Sequence, residues 1–206
     1  MKHLLLALIG LAIMFGAGRA APVEYEVGSG LIYVRVHQLP SDLPPKPSGK
    51  APPCIVDVRY VDADADAATA FLAWLKFRAL PRSPVFVLAN AETSSVLIRM
   101  LNAHERGTGL AVVGIAKGAF HPDVPVKATM DEERRAYDAL ERGANIGILL
   151  ADNPNKARND EASLSKDRLA EASADAADGK RESPPIDATL QRAVHLHRAL
   201  VALKRI

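Results

Sequence analysis

Residues 83–118, SPVFVLANAETSSVLIRMLNAHERGTGLAVVGIAKG, constrain the fold of this chain more than any other stretch. They read as strand, polar turn, helix, loop and strand. Residues 85–88 are a continuous apolar run, the pattern of a strand buried on both faces. Asn90-Ala91-Glu92-Thr93 is a polar turn, and Thr93 or Ser94 can cap the helix that follows. Val96, Leu97, Met100 and Leu101 share one face of that helix. Residues 110–113 form a second buried strand, ended by Gly114. A hydroxyl at a strand-to-helix turn lies beside free backbone N–H groups, where an acyl-transfer nucleophile is useful.

The same alternation extends along the chain. Residues 23–27 and 31–36, with Gly28-Ser29-Gly30 between them, read as a hairpin or strand pair. Six prolines within residues 39–53 leave an extended connection with no room for a helix. Residues 55–59 are a strand ending on Asp57-Val58-Arg59, and a helix follows over 67–80. Phe71, Leu72, Trp74, Leu75 and Phe77 make that helix apolar over a wide arc, so it is expected to be mostly buried. Asp62, Asp64 and Asp66 begin like a calcium loop, but Ala67 stands where glycine is needed and Ala73 where the bidentate glutamate belongs. They read instead as charge at a helix N-terminus.

Beyond Gly118, residues 121–126 suggest a kinked edge strand. Thr129 and Glu132 form a capping box for a helix over 130–142, ended by Gly143. Residues 146–150 are a short apolar segment. Residues 151–184 are polar and rich in Ala, Asp and Lys, a flexible linker. Asp187 caps a terminal helix whose stripe of Ala193, Leu196, Leu200 and Leu203 is expected to pack on the core. Strands alternating with helices give an α/β layer fold.

At the amino end, Met1-Lys2-His3 is a short basic start and residues 4–17 an apolar run, shorter than the roughly 20 residues that span a membrane. Gly18-Arg19-Ala20 supplies the small residues that a signal peptidase reads. Residues 1–20 therefore read as a signal peptide, and the mature chain from Ala21 as periplasmic or extracellular. An uncleaved anchor is the alternative and exports the rest as well. The single cysteine, Cys54, cannot form an internal disulfide and reads as a small core residue. With 206 residues and a formal net charge of +2, the chain has no basic excess to hold nucleic acid.

Four segments together resemble the core of the tail-specific, or carboxyl-terminal processing, serine proteases of the ClpP/crotonase-like fold. Gly30-Leu31-Ile32-Tyr33-Val34-Arg35-Val36 is similar to that family's first core strand. Ile55-Val56-Asp57-Val58-Arg59 is similar to its apolar-apolar-Asp-Leu-Arg strand. Val87-Leu88-Ala89-Asn90-Ala91-Glu92-Thr93-Ser94-Ser95 resembles the strand and turn that carry the nucleophile, a serine two residues after the threonine. Gly118-Ala119-Phe120-His121-Pro122-Asp123-Val124-Pro125-Val126 resembles the Gly-Ile-x-Pro-Asp-x-x-Val segment, and Asp187, Leu190 and Ala193 its closing helix. The resemblance implies a domain over 21–150, with a central sheet, flanking helices and a C-terminal helix over 185–206 docked on the core.

It also names candidate catalytic residues. Ser95 stands at the nucleophile, against the plainer reading of a first-turn helix serine bonding the backbone. Lys117 is a remnant of the family's general base, which needs a desolvated amine, or else a solvated loop lysine. His121 could replace it in a Ser-His pair with Asp123 as orienter, or lie in a surface turn. His104 is expected at a solvated helix end, and His195 and His197 diverge on their helix. No cofactor and no metal site is implied.

Three departures bear on activity. After Arg59 the family has an asparagine and a glycine pair that help build the oxyanion hole, whereas this chain reads Tyr60-Val61-Asp62-Ala63. Losing one oxyanion donor typically costs about a hundred- to a thousand-fold in turnover. Only three residues separate Lys117-Gly118 from Pro122-Asp123, where the family has further strands. No segment resembles its peptide-binding PDZ domain. The leading expectation is therefore a non-catalytic pseudo-protease that binds a peptide or envelope protein. An active serine peptidase is the alternative, and a self-associating structural subunit a third.

Overall fold

The computed structural model describes residues 23–45, 49, 51–105, 107, 109–150 and 185–206. The expected signal peptide and the 151–184 linker lie outside the described residues. Six strands make one sheet in sequence order: β1 (Val23–Glu26), β2 (Ile32–Arg35), β3 (Cys54–Asp57), β4 (Val85–Leu88), β5 (Leu110–Gly114) and β6 (Val124–Pro125). β1 pairs antiparallel with β2, and every later pair is parallel. The β1–β2 turn is tight because Gly28, Ser29 and Gly30 all take positive φ, 92°, 55° and 71°. The edge strand β6 is two residues long, shorter than the sequence suggests. Asp123, Pro122 and Pro125 frame it, and proline supplies no donor to a ladder.

Central strands β3 and β4 are buried at every residue, β4 as its unbroken apolar run requires and β3 with Asp57 buried at its end. Val56, Val87 and Val112 point to one face, where α1 (Ala65–Arg78) and α2 (Ser95–Asn102) cover them. Ile55, Phe86, Leu88 and Val113 point to the other, under α3 (Met130–Glu141), α4 (Ile146–Leu149) and α5 (Ala188–Ala202). The chain is thus a mixed α/β fold with flanking helices on both faces of a six-stranded sheet. Among the described residues no helix is long and apolar enough to cross a membrane.

Capping residues set where each helix begins. Asp64 accepts from the Ala67 N–H at 2.8 Å, so α1 starts two residues before the expected position and uses the aspartate run as a cap. Thr129 and Glu132 make the reciprocal capping box of α3, and Gly143 at φ 87° follows its end. Asp187 caps α5 through the Leu190 N–H. Ser94 occupies the cap position of α2 but does not cap it. Its hydroxyl donates instead to the Ala63 carbonyl at 2.8 Å, and Thr93 donates to Val58 at 3.1 Å. Both side chains tie the turn to the segment after β3.

Two helix faces differ from expectation. On α1 the buried set is Ala68, Phe71, Trp74, Leu75 and Arg78, a single stripe, and Phe77 is 49% exposed. On α5 the buried set is Thr189, Leu190, Ala193, Val194 and His197, Leu196 and Leu200 pack half-buried against the same core as expected, and Leu203 is 69% exposed. Cys54 lies in the core, where burial pushes its thiol up to about 11 and leaves it protonated and unreactive at neutral pH.

Gly114 ends β5 where the backbone of β4 comes closest. A Cβ there would sit 2.1 Å from the Ala89 carbonyl oxygen and 2.8 Å from the Phe120 ring. Overpacking against backbone cannot relax by a rotamer change, so we expect Gly114→Ala to destabilise the fold by about 1–3 kcal/mol. Urea unfolding checks this as a lower midpoint with an unchanged slope.

Candidate functional site

The carboxyl ends of parallel strands are where α/β folds commonly bind ligands, above all at the point where strand order reverses. Here the order from β2 to β6 never reverses, and the strand ends are closed by side chains. Arg35 ends β2, Asp57 ends β3, and Arg59 and Asn90 follow β3 and β4. Asp57 and Arg59 are two residues apart and so point to the same face, toward α3 and α5.

Arg59 is fully buried at the centre. Its Nε and Nη2 donate to Asp57 at 3.0 Å and 2.6 Å, and its Nη1 and Nη2 to the two Asp187 oxygens at 3.1 Å and 2.8 Å. The Glu133 carboxylate lies 3.6 Å from Nη1. Glu133 in turn accepts from Asn90 Nδ2 at 2.8 Å and from the Thr189 hydroxyl at 2.7 Å. The Tyr33 hydroxyl donates to Asp57 at 2.7 Å. Burial alone pushes the Asp57 carboxyl up, but the Arg59 charge and hydrogen bonds outweigh it and hold the group below its ordinary range. The same carboxylate, together with burial, drives the Tyr33 phenol well above its ordinary value. This cluster is closed on itself and offers no free donor to a substrate.

A shell of rings and cations lies outside it. The Arg35 guanidinium sits 3.5 Å from the Tyr137 ring centre, and the Arg134 guanidinium 4.4 Å from that of Tyr60. The Tyr60 and Tyr137 rings meet edge to face at 4.7 Å. Tyr60 is half-buried and has φ 62°, a left-handed conformation that costs a bulky residue on the order of 1–3 kcal/mol. Its hydroxyl is buried without a hydrogen-bond partner, and burial together with the Glu133 charge raises it. Tyr60 thus occupies the turn where the resemblance led us to look for glycine, and the backbone keeps a glycine-like angle there.

The three candidate catalytic residues stand elsewhere, all exposed. Ser95 opens α2 at the strand ends. The loop after β5 runs back along α2, and the His121 N–H donates to the Asn102 side chain at 3.1 Å. Ser95 and Asn102 are the two ends of α2, about 10 Å apart along its axis. No hydrogen bond joins Ser95 to Lys117 or His121. Asp123, the proposed orienter, instead lies 3.1 Å from His104 Nε2 and accepts from the Val112 N–H. His104 is correspondingly not at a solvated helix end: its ring is tucked against Asp123 and the Leu101 carbonyl. His195 is exposed while His197 is buried, so the two diverge. Among the described residues no group of His, Cys, Asp and Glu is arranged to hold a metal ion.

The sequence pointed to Asp57, Arg59 and Asp187 separately, through a strand motif and a helix cap. Glu133 and Tyr60 carried no signal of their own, because their roles depend on partners 74 and 77 residues away in the chain for Glu133–Arg59 and Tyr60–Tyr137. No protein-family model, curated protein or solved structure matches this chain.

Removing one member of a buried ion cluster leaves the others unpaired, typically at a cost of about 3–5 kcal/mol. We expect Asp57→Asn to lose an amount of that order at neutral pH. A carboxyl lowered in the folded state contributes stability above its unfolded pKa, about 3.9, and loses it as pH falls through the folded value. The difference between wild type and Asp57→Asn should therefore shrink on acidification below about pH 4. Urea unfolding at neutral and acid pH measures it.

Proposed function

We propose that this protein is a non-catalytic binding protein built on a degenerate tail-specific-protease-like domain of ClpP/crotonase-like type, exported from the cytoplasm, and that it engages a peptide or partner protein of the cell envelope. The observation that carries this reading is that no hydrogen bond joins Ser95 to Lys117 or His121, and that His121 is held by Asn102 at the far end of α2. A general base must come within hydrogen-bond reach of the nucleophile, directly or through one water. A lysine base also needs desolvation, and Lys117 is in solvent. The ionic cluster at the strand ends supports the same reading, since its donors are taken up by Asp57 and Asp187 and are not free to hold a substrate. The region outside it is aromatic and mixed in charge, with Arg134 between the Tyr60 ring and Glu92. Aromatic residues and arginine are enriched where proteins bind one another.

One observation favours an active serine peptidase instead. The first turn of α2 has no side-chain cap, so backbone N–H groups beside Ser95 remain to receive an oxyanion. A fluorophosphonate probe separates the two. We expect the folded protein to label no more than its Ser95→Ala variant. Labelling that disappears with Ser95→Ala would overturn the binding reading and establish an activated serine.

A further inference from the structure

The opposite edge of the sheet, where β4 and β5 begin, holds a feature that the functional reading does not use. A cleft of about 840 Å³ opens between these strand starts and the end of α5. Its floor is apolar, with Phe86, Leu110 and Leu200, and three cations line it: Arg82, Lys204 and Arg205. No aspartate or glutamate lines it among the described residues. The three cations are exposed, and among the described residues none is drawn into an ion pair.

Exposed apolar side chains neighbour these charges along the chain. Of the five large apolar residues most exposed on the described surface, Leu80, Val201 and Leu203 adjoin the cleft in sequence, at 52%, 41% and 69% exposure. Leu80 immediately precedes Pro81 and Arg82, and Leu203 precedes Lys204. Folding around the core leaves such residues outside only at a cost in apolar contact with water. A surface that combines exposed aliphatic side chains with unpaired cations matches a bilayer interface, which offers anionic headgroups above acyl chains. A protein partner with the same charge would have to bring both an acidic and an apolar face. The bilayer brings both at once.

We propose that this edge is a docking site for a membrane surface bearing anionic lipid. Arg82, Lys204 and Arg205 take the headgroup charge, Leu80 and Leu203 enter the acyl boundary, and the cleft floor receives part of a chain. The geometry places the docking edge at the opposite end of the strands from Tyr60 and Ser95, so a bound membrane leaves the partner surface free. This inference stands independently of the proposed function.

Vesicle co-sedimentation of the full chain tests it, with phosphatidylglycerol mixed into phosphatidylcholine against phosphatidylcholine alone. The charge-reversed variant Arg82→Glu/Lys204→Glu/Arg205→Glu is compared with Arg99→Glu/Arg142→Glu/Arg192→Glu, which changes net charge equally on exposed helix positions elsewhere. Circular dichroism melting confirms that each is folded. We expect binding to the anionic vesicles to fall at least about tenfold in the first variant and to stay within about twofold in the second. Raising salt should weaken the wild-type interaction, since it shortens the screening length from about 10 Å at 0.1 M. Leu80→Ser/Leu203→Ser should lower the binding that survives at high salt. Equal binding to neutral vesicles, equal loss in both charge variants, or no binding to anionic vesicles at all would overturn the proposal.

Discussion

The Arg59 guanidinium organises the structure around it. Three carboxylates from three distant parts of the chain converge on it: Asp57 at the end of β3, Glu133 on α3 and Asp187 at the start of α5. Bringing an arginine out of water costs several kcal/mol unless its donors are met. Here the guanidinium donates in two pairs, Nε and Nη2 to Asp57 and Nη1 and Nη2 to Asp187, with the Glu133 carboxylate 3.6 Å from Nη1, a forked geometry for which arginine is suited and lysine is not. The consequence is architectural. The terminal helix is attached at one end by ions and along its length by Leu190, Ala193 and Val194 against the sheet.

That attachment also explains why the strand ends do not form an open crevice. Parallel sheets leave free carbonyls and helix N-termini at this edge, which is why ligands gather there. In this chain Asp57 and Asn90 spend those positions on Arg59 and Glu133. Thr93 and Ser94 are likewise bound to backbone carbonyls of the neighbouring turn. Outside the cluster, rings and guanidinium groups alternate, from the buried Arg35 on Tyr137 to the exposed Arg134 on Tyr60. Such an arrangement can recognise another molecule by stacking and hydrogen bonding.

Strain gathers in the same region. Tyr60 holds a backbone angle that glycine would adopt freely, and its ring is fixed between Tyr137 and Arg134. The surrounding contacts impose the angle: the Ser94 N–H donates to Val61 and the Val61 N–H to Val58, closing the turn on both sides. A bulky side chain in a left-handed turn is held at such a cost only when its environment over-determines it. The ring cluster is that environment.

Short-range physics decided what the sequence by itself determined. Unbroken apolar runs at 85–88 and 110–113, and the Ile55-Val56-Asp57-Val58 segment before them, read as buried strands, and they pair in chain order. Threonine and aspartate caps located the starts of α3 and α5, because a cap is a bond between residues three apart, whereas the Asp64 cap of α1 was not read and that helix starts two residues early. The cap of α2 was misread for the converse reason: Ser94 had a more distant acceptor at Ala63, invisible to a local pattern. The same limit applies to the ion contact of Asp187 with Arg59, 128 residues apart. The candidate site followed the same division. Motif order brought Ser95, Lys117 and His121 to attention, but their distance from one another depends on how the loop after β5 folds back along α2. That path is set by Asn102 holding the backbone at Ala119 and His121, a tertiary contact to which no spacing in the sequence corresponds.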